Sequence, residues 1–141
     1  MLDCKVSGCA LVSMSVRGDN RGSLIAVEGG RDVPFEIARV YYVFGTRPGV
    51  DRGFHAHHAL RQLLIAVSGS CTIRLDDGHR REQVRLDVPS VGLSISGLVW
   101  REMSDFSPDC VLLVLADAAY DESDYIRDHR QFLEAVADMP R

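Results

Sequence analysis

The chain has no excess of basic residues: 16 Lys and Arg stand against 20 Asp and Glu, giving a formal charge of −4 at pH 7 and a pI near 5.7. Its charges are spread rather than clustered, so it lacks the basic stripe that a phosphate backbone requires, and no nucleic-acid partner is expected. No apolar run approaches the roughly 18 residues needed to cross a bilayer, so no membrane partner is expected either. The segment "MLDCKVSGCALVSMSV" has a lone Lys5 and no sustained apolar block, unlike a signal peptide. The four cysteines, Cys4, Cys9, Cys71 and Cys110, form no CxxC pair and sit mostly in apolar runs. That pattern fits reduced, buried thiols in a cytoplasmic protein better than a disulfide framework or a zinc knuckle. Internal repeats and low-complexity linkers are missing too, and helical periodicity is nearly so.

What is present is a chain of 141 residues, 46% of them hydrophobic, enough to bury one core as a single domain spanning 1–141. Short apolar runs alternate with turn residues about every eight to twelve positions, the spacing of antiparallel strands in a sandwich or barrel. Strands are predicted over 9–16, 23–27, 34–44, 61–67, 70–75, 82–86, 91–95 and 110–116. The Asp-Gly pair in "DDGHR", 76–80, marks a tight hairpin. Only the tail changes period: Tyr125, Ile126, Phe132, Leu133 and Val136 recur every three or four residues or so, which predicts one amphipathic helix over 121–138. Asp121 or Ser123 would cap it. The pattern as a whole reads as an all-β jelly roll with a central pocket and a short C-terminal helix.

The stretch "RGFHAHHALRQLLIAVSG", 52–69, carries the chemistry. Residues two apart on a strand share a face, so His55 and His57 project together. A solvated strand end that includes His58 is the plain alternative. The neighbouring run "LLIAV" belongs in a core, which favours a pocket. A Glu in place of Gln62 would complete the spacing with which β-barrel proteins of the cupin class hold a metal. In that pattern a later strand supplies another imidazole, but here "SISGLVWREM" puts Trp100 and Arg101 at that place. His79 and His129 fall in the hairpin turn and the terminal helix, where they replace neither ligand. With two of four ligands missing, no metal and no cofactor are expected. Two imidazoles without a metal are general acid–base groups.

The runs "RGSLIAVEGGRDVPFEIARVYYVFGTRPG", "RGFHAHHALRQLLIAVSGSCTIRLDDG" and "WREMSDFSPDCVLLVLADAAYDESDYIRDHRQFL" resemble the dTDP-4-keto-6-deoxyglucose 3,4-ketoisomerases of the cupin superfamily. "RGFHAH", "LDDG", "DFSPD.VLLVLA" and "DYIRD" coincide with that family in order and spacing. The resemblance implies a double-stranded β-helix and a dTDP-linked keto-sugar held in the barrel. It also implies a homodimer that exchanges N-terminal strands within 1–19, and catalysis by the "HAH" histidines without metal. Two segments depart from the family pattern. "SISGLVWREM" lacks the usual proline and histidine, and residues 1–19 match nothing in it.

Such a reaction needs a base at C3, which is acidic because it adjoins the C4 ketone, a donor for the enediolate oxygen, and cations for the diphosphate. His55 and His57 are assigned to proton transfer. Tyr41 and Tyr42 are adjacent, so one of them faces the pocket; Tyr41 is favoured as the donor because Arg39 shares its face, and Tyr42 is kept as a substrate-binding candidate. Arg47 in "GTRPG" and Arg52 at the mouth are candidates for the diphosphate, against the reading of each as an ordinary surface arginine. Trp100 either stacks on the thymine or sugar or packs the barrel end. Gln62 either bonds a sugar hydroxyl or orients a histidine. Asp124 and Arg127 are expected to cap and pair across the helix start. Two other functions fit the same residues: an epimerase acting at C3 or C5 of a keto-sugar nucleotide, and a non-catalytic sugar-nucleotide-binding cupin.

Overall fold

The computed structural model describes residues 2–140. Its strands are β1 (Leu2–Asp3), β2 (Cys9–Ser13), β3 (Arg17–Asp19), β4 (Gly22–Leu24), β5 (Arg39–Val43), β6 (Arg52–His57) and β7 (Gln62–Ser68). They continue as β8 (Cys71–Asp76), β9 (Arg81–Leu86), β10 (Val91–Ile95), β11 (Trp100–Ser104), β12 (Val111–Ala116) and β13 (Tyr125–Ile126), and α1 (His129–Ala137) ends the fold. Two antiparallel sheets face each other in the orders β1-β2-β10-β7-β12-β5 and β13-β6-β11-β8-β9, and β3–β4 forms a separate hairpin. No helix among the described residues is long and apolar enough to cross a membrane.

Alternation along the strands builds the core between the sheets. Leu112 and Val114 of β12 point inward to meet Leu64, Ile73, Leu93 and Ile95, while Leu115 turns outward. The outer face of the six-stranded sheet is apolar as well, and the segment carrying Ile25, Val27, Val33 and Phe35 lies over Leu63 and Ile65. This double cover explains why β7 is buried on both faces and reads as an unbroken apolar run. It also shortens the strand expected over 34–44 to Arg39–Val43, because Phe35 is used as packing. The expected strand 9–16 is likewise trimmed, to Cys9–Ser13, and that over 23–27 is shifted to Gly22–Leu24, with Ile25 and Val27 used as packing instead. The hairpin at "DDGHR" forms as expected: Asp77 N donates to Arg80 O, and Gly78 adopts φ 91°, a value glycine reaches without strain.

The helix expected over 121–138 is corrected. Glu122–Asp124 form a 3₁₀ turn capped by Asp121, Tyr125–Ile126 form β13, and α1 begins at His129 with Asp128 as its cap. Tyr125 and Ile126 match the helical period but pair instead with His57 and Ala56 of β6; tertiary pairing overrides a local periodicity of this length. Phe132, fully buried, packs α1 onto Trp100, Ala56 and Ile126, a burial that contributes about 1.5–3 kcal/mol.

Candidate active site

Strand β6 does not run straight. Gly53 (φ 90°) and Phe54 (φ 57°) both adopt the left-handed conformation, and the β6–β11 register shifts so that Arg101 faces His55 while Glu102 faces Gly53. Phe54 is thus the extra residue of a β-bulge, a device that re-aims side chains beside it. A Cβ on Gly53 would stand 3.0 Å from the Arg101 carbonyl, so the close approach of β11 needs glycine there. Beyond the bulge His55 and His57 share a face, with ring centroids 4.9 Å apart and nearly perpendicular. Tyr125 closes the group, its ring 5.1 Å from His55 and 4.3 Å from His57.

The two imidazoles have different surroundings. His57 is wholly buried; its Nδ1 lies 3.1 Å from Asp124 Oδ2, and its Nε2 has no partner. Asp124 is fixed in turn by the amides of Ala59 and Leu60, at 2.9 and 3.2 Å. An ionised carboxylate accepts only, so Nδ1 carries the proton and Nε2 the lone pair. His55 lines a cavity of about 320 Å³ with Tyr41, Tyr125, Arg39, Arg52 and Arg127. Burial first, and the Arg101 guanidinium second, lower His55 to about pH 4 and push His57 further below its ordinary value. Both rings are therefore neutral bases near pH 7.

Behind them runs a buried chain: Arg101 Nη1 donates to Gln62 Oε1 at 2.6 Å, and Gln62 Nε2 donates to the Tyr41 hydroxyl at 3.1 Å. Burial raises the Tyr41 pKa, keeping the phenol protonated and free to donate toward the cavity. The residues do not fit a metal: the carboxylate position of the cupin pattern is the Gln62 amide, already bonded to a guanidinium. Among the described residues no group of three His, Cys, Asp or Glu stands close enough to bind one.

Of the residues singled out from sequence, His55, Tyr41 and Arg52 line the cavity, and His57 and Gln62 lie behind it. Tyr42 is 60% exposed on the opposite face of β5, beside Phe44. Arg47 is exposed in the β5–β6 loop and does not line the cavity. Trp100 is buried under α1 against His129 and Phe132, its indole N–H donating to Glu102, and it edges a separate groove on the outer sheet face. Cys71 and Cys110 are buried thiols.

Five residues around the imidazoles are not among the candidates drawn from sequence: Arg39, Arg101, Asp124, Tyr125 and Arg127. Asp124 was expected at a helix start but anchors His57 instead. Arg127 does pair, with Glu122 at 2.7 and 2.8 Å, but it also stacks 4.3 Å from the Tyr125 ring centroid and lines the cavity. The available signal was "DYIRD" itself, whose four chemically capable residues were absorbed into a helix. Arg101 stood out only as the residue replacing an imidazole.

Comparison with known proteins agrees with this geometry. The TDP-4-oxo-6-deoxy-α-D-glucose-3,4-oxoisomerase of Aneurinibacillus thermoaerophilus is 50% identical over 119 residues, 84% of this chain and 86% of that protein. A crystal structure of a 3,4-ketoisomerase from Helicobacter canadensis superposes with TM-score 0.90 at 46% identity, covering 92% of this chain and 98% of that one. The QdtA 3,4-ketoisomerase of Thermoanaerobacterium thermosaccharolyticum was solved as a histidine-to-asparagine mutant in complex with TDP-4-keto-6-deoxyglucose. It superposes with TM-score 0.91 at 43% identity, over 93% of this chain and 95% of that one. The FdtA family, described as WxcM-like, C-terminal, matches residues 7–137, and with this barrel, this histidine pair and these relatives the chain belongs to that family.

Proposed function

We propose that the chain is a sugar-nucleotide 3,4-ketoisomerase that moves the carbonyl of TDP-4-keto-6-deoxyglucose from C4 to C3 by acid–base chemistry. The observation that carries this reading is the pair of neutral imidazoles set by the bulge in β6, beside a cavity ringed by Arg39, Arg52 and Arg127. Three guanidiniums suit a diphosphate, which they can bond in bidentate fashion. A relative with the same fold and high identity is seen with the 4-keto substrate itself.

His55 takes the C3 proton, because it is the histidine that lines the cavity. The C–H electrons form the C3–C4 double bond, and charge moves to O4, where the Tyr41 hydroxyl stabilises it. Return of a proton to C4 and transfer of the O3 proton to O4 leave the ketone at C3. His57, held by Asp124, presents its Nε2 lone pair as the second proton carrier. Incubation with TDP-4-keto-6-deoxyglucose and NMR of the product tests the reading. In this account the enzyme acts in the cytoplasm, on a pathway to amino-deoxysugars, where a 3-ketone is the group an aminotransferase consumes.

Metal takes no part in this reading, since imidazole, phenol and guanidinium supply every role. Activity after exhaustive dialysis against EDTA should equal that before it; loss of activity restored by one divalent ion would overturn the metal-free mechanism.

We also propose a homodimer that exchanges N-terminal strands. Val40 and Tyr42 of the edge strand β5, with Phe44 just beyond it, leave an exposed apolar stripe, a surface that association would cover. In the single chain β2 pairs with β10 from Cys9↔Ile95 to Ser13↔Val91; exchange preserves that register with β2 supplied by the partner. Sedimentation should give twice 15.6 kDa at micromolar concentration, and a monomer there would contradict the proposal.

A further inference from the structure

A buried cation without a carboxylate partner destabilises a fold unless something else calls for it. Arg101 is such a cation. It is 1% exposed. Its Nε donates to the Val99 carbonyl at 3.1 Å and its Nη1 to Gln62 Oε1 at 2.6 Å. Its Nη2 has no partner, and among the described residues no carboxylate oxygen within 4.0 Å forms an ion pair with it. It sits directly opposite His55 in the β6–β11 ladder.

Resting on the ketoisomerase reading, we propose that Arg101 is a positioning residue of the reaction. It is a cation kept inside the barrel so that His55 and His57 stay unprotonated and negative charge developing on the substrate beside them is favoured. The charged and titratable groups facing the imidazoles are Arg39 and Tyr41 from β5, Arg52 from β6, Arg101 from β11, and Glu122, Asp124, Tyr125 and Arg127 from the segment around β13. Arg101 is the buried cation of this set, and after burial itself it contributes most to lowering the pKa of either ring. Asp124 acts in the opposite sense on His57. Burial lowers Arg101 itself to about 10, which leaves it charged at neutral pH. Gln62 links the same guanidinium to the Tyr41 hydroxyl, so the one cation acts on both the base and the hydrogen-bond donor of the site.

Two measurements test this together. In the wild-type protein, histidine NMR titration should show both rings unprotonated down to below pH 5; either ring titrating near 6.5 overturns the proposal, whatever the enzyme's substrate. In Arg101→Met, kcat at pH 7 should fall about tenfold or more and its acid limb should rise by about one unit or more, with KM little changed. Arg101→Lys, which keeps the charge, should recover part of that loss. Arg101→Met should also melt within a few degrees of wild type, or higher, because an apolar side chain replaces an uncompensated buried charge. Wild-type kcat and pH profile in Arg101→Met would overturn the proposal. So would collapse of its fold, since the guanidinium would then serve to hold the barrel together. Absence of turnover by the wild type would instead refute the ketoisomerase reading, leaving the titration to decide the electrostatic one.

Discussion

Replacing His55 with Asn should lower kcat by about 10² or more while leaving binding of TDP nearly unchanged. Asn is close in reach and polarity, so the cavity keeps its shape and the guanidiniums of Arg39, Arg52 and Arg127 still face it. What disappears is the one basic nitrogen that both reaches the cavity and is neutral at pH 7, its pKa being near 4. The wild-type enzyme should therefore hold its rate down to acidic pH and lose it only as pH falls toward that value, since protonation removes the lone pair. Steady-state kinetics with isothermal titration of TDP separates the two effects. A variant with normal kcat would show that the base lies elsewhere, and one that also fails to bind TDP would point to a collapsed site.

Asp124→Asn should reduce kcat by about ten- to a hundredfold, acting through His57 rather than on the substrate. The carboxylate accepts from His57 Nδ1 and from the amides of Ala59 and Leu60. An Asn oxygen can still accept from the Ala59 amide, but its NH₂ then takes the Oδ2 place, where it faces the ring and favours the tautomer with the proton on Nε2, the wrong nitrogen for a base. Nitrogen-15 shifts of the His57 ring read this directly: Nδ1–H in the wild type, Nε2–H in the variant. Equal tautomers in the two proteins, or an unchanged kcat, would remove Asp124 from the mechanism.

Much of this architecture was legible in the chain because it rests on period and turn chemistry. The alternation in β12 and the Asp-Gly hairpin at 76–80 needed no tertiary information. β7 was legible as a strand but not as one covered on both faces, since the covering residues Val33 and Phe35 are remote in sequence. The stretch 121–138 was misread because Tyr125, Ile126 and Phe132 satisfy a helical spacing even though the first two pair with β6. That single error hid Asp124, whose role depends on a hydrogen bond across 67 positions of chain. Arg101 was hidden for a different reason: local sequence does not say that a charged residue between Trp100 and Glu102 faces inward. Strand β11 was not among the expected strands, and only its pairing with β6 and β8 fixes which way Arg101 points.

The most direct test of the account is to incubate the purified protein with TDP-4-keto-6-deoxyglucose in deuterium oxide and follow the sugar ring by carbon and proton NMR. The account predicts a product whose ketone carbon is C3, with a new C4 hydrogen that is deuterium wherever the carried proton exchanges with solvent. A C4 ketone that persists with inversion or label at C5, or a substrate that remains unchanged, would contradict it.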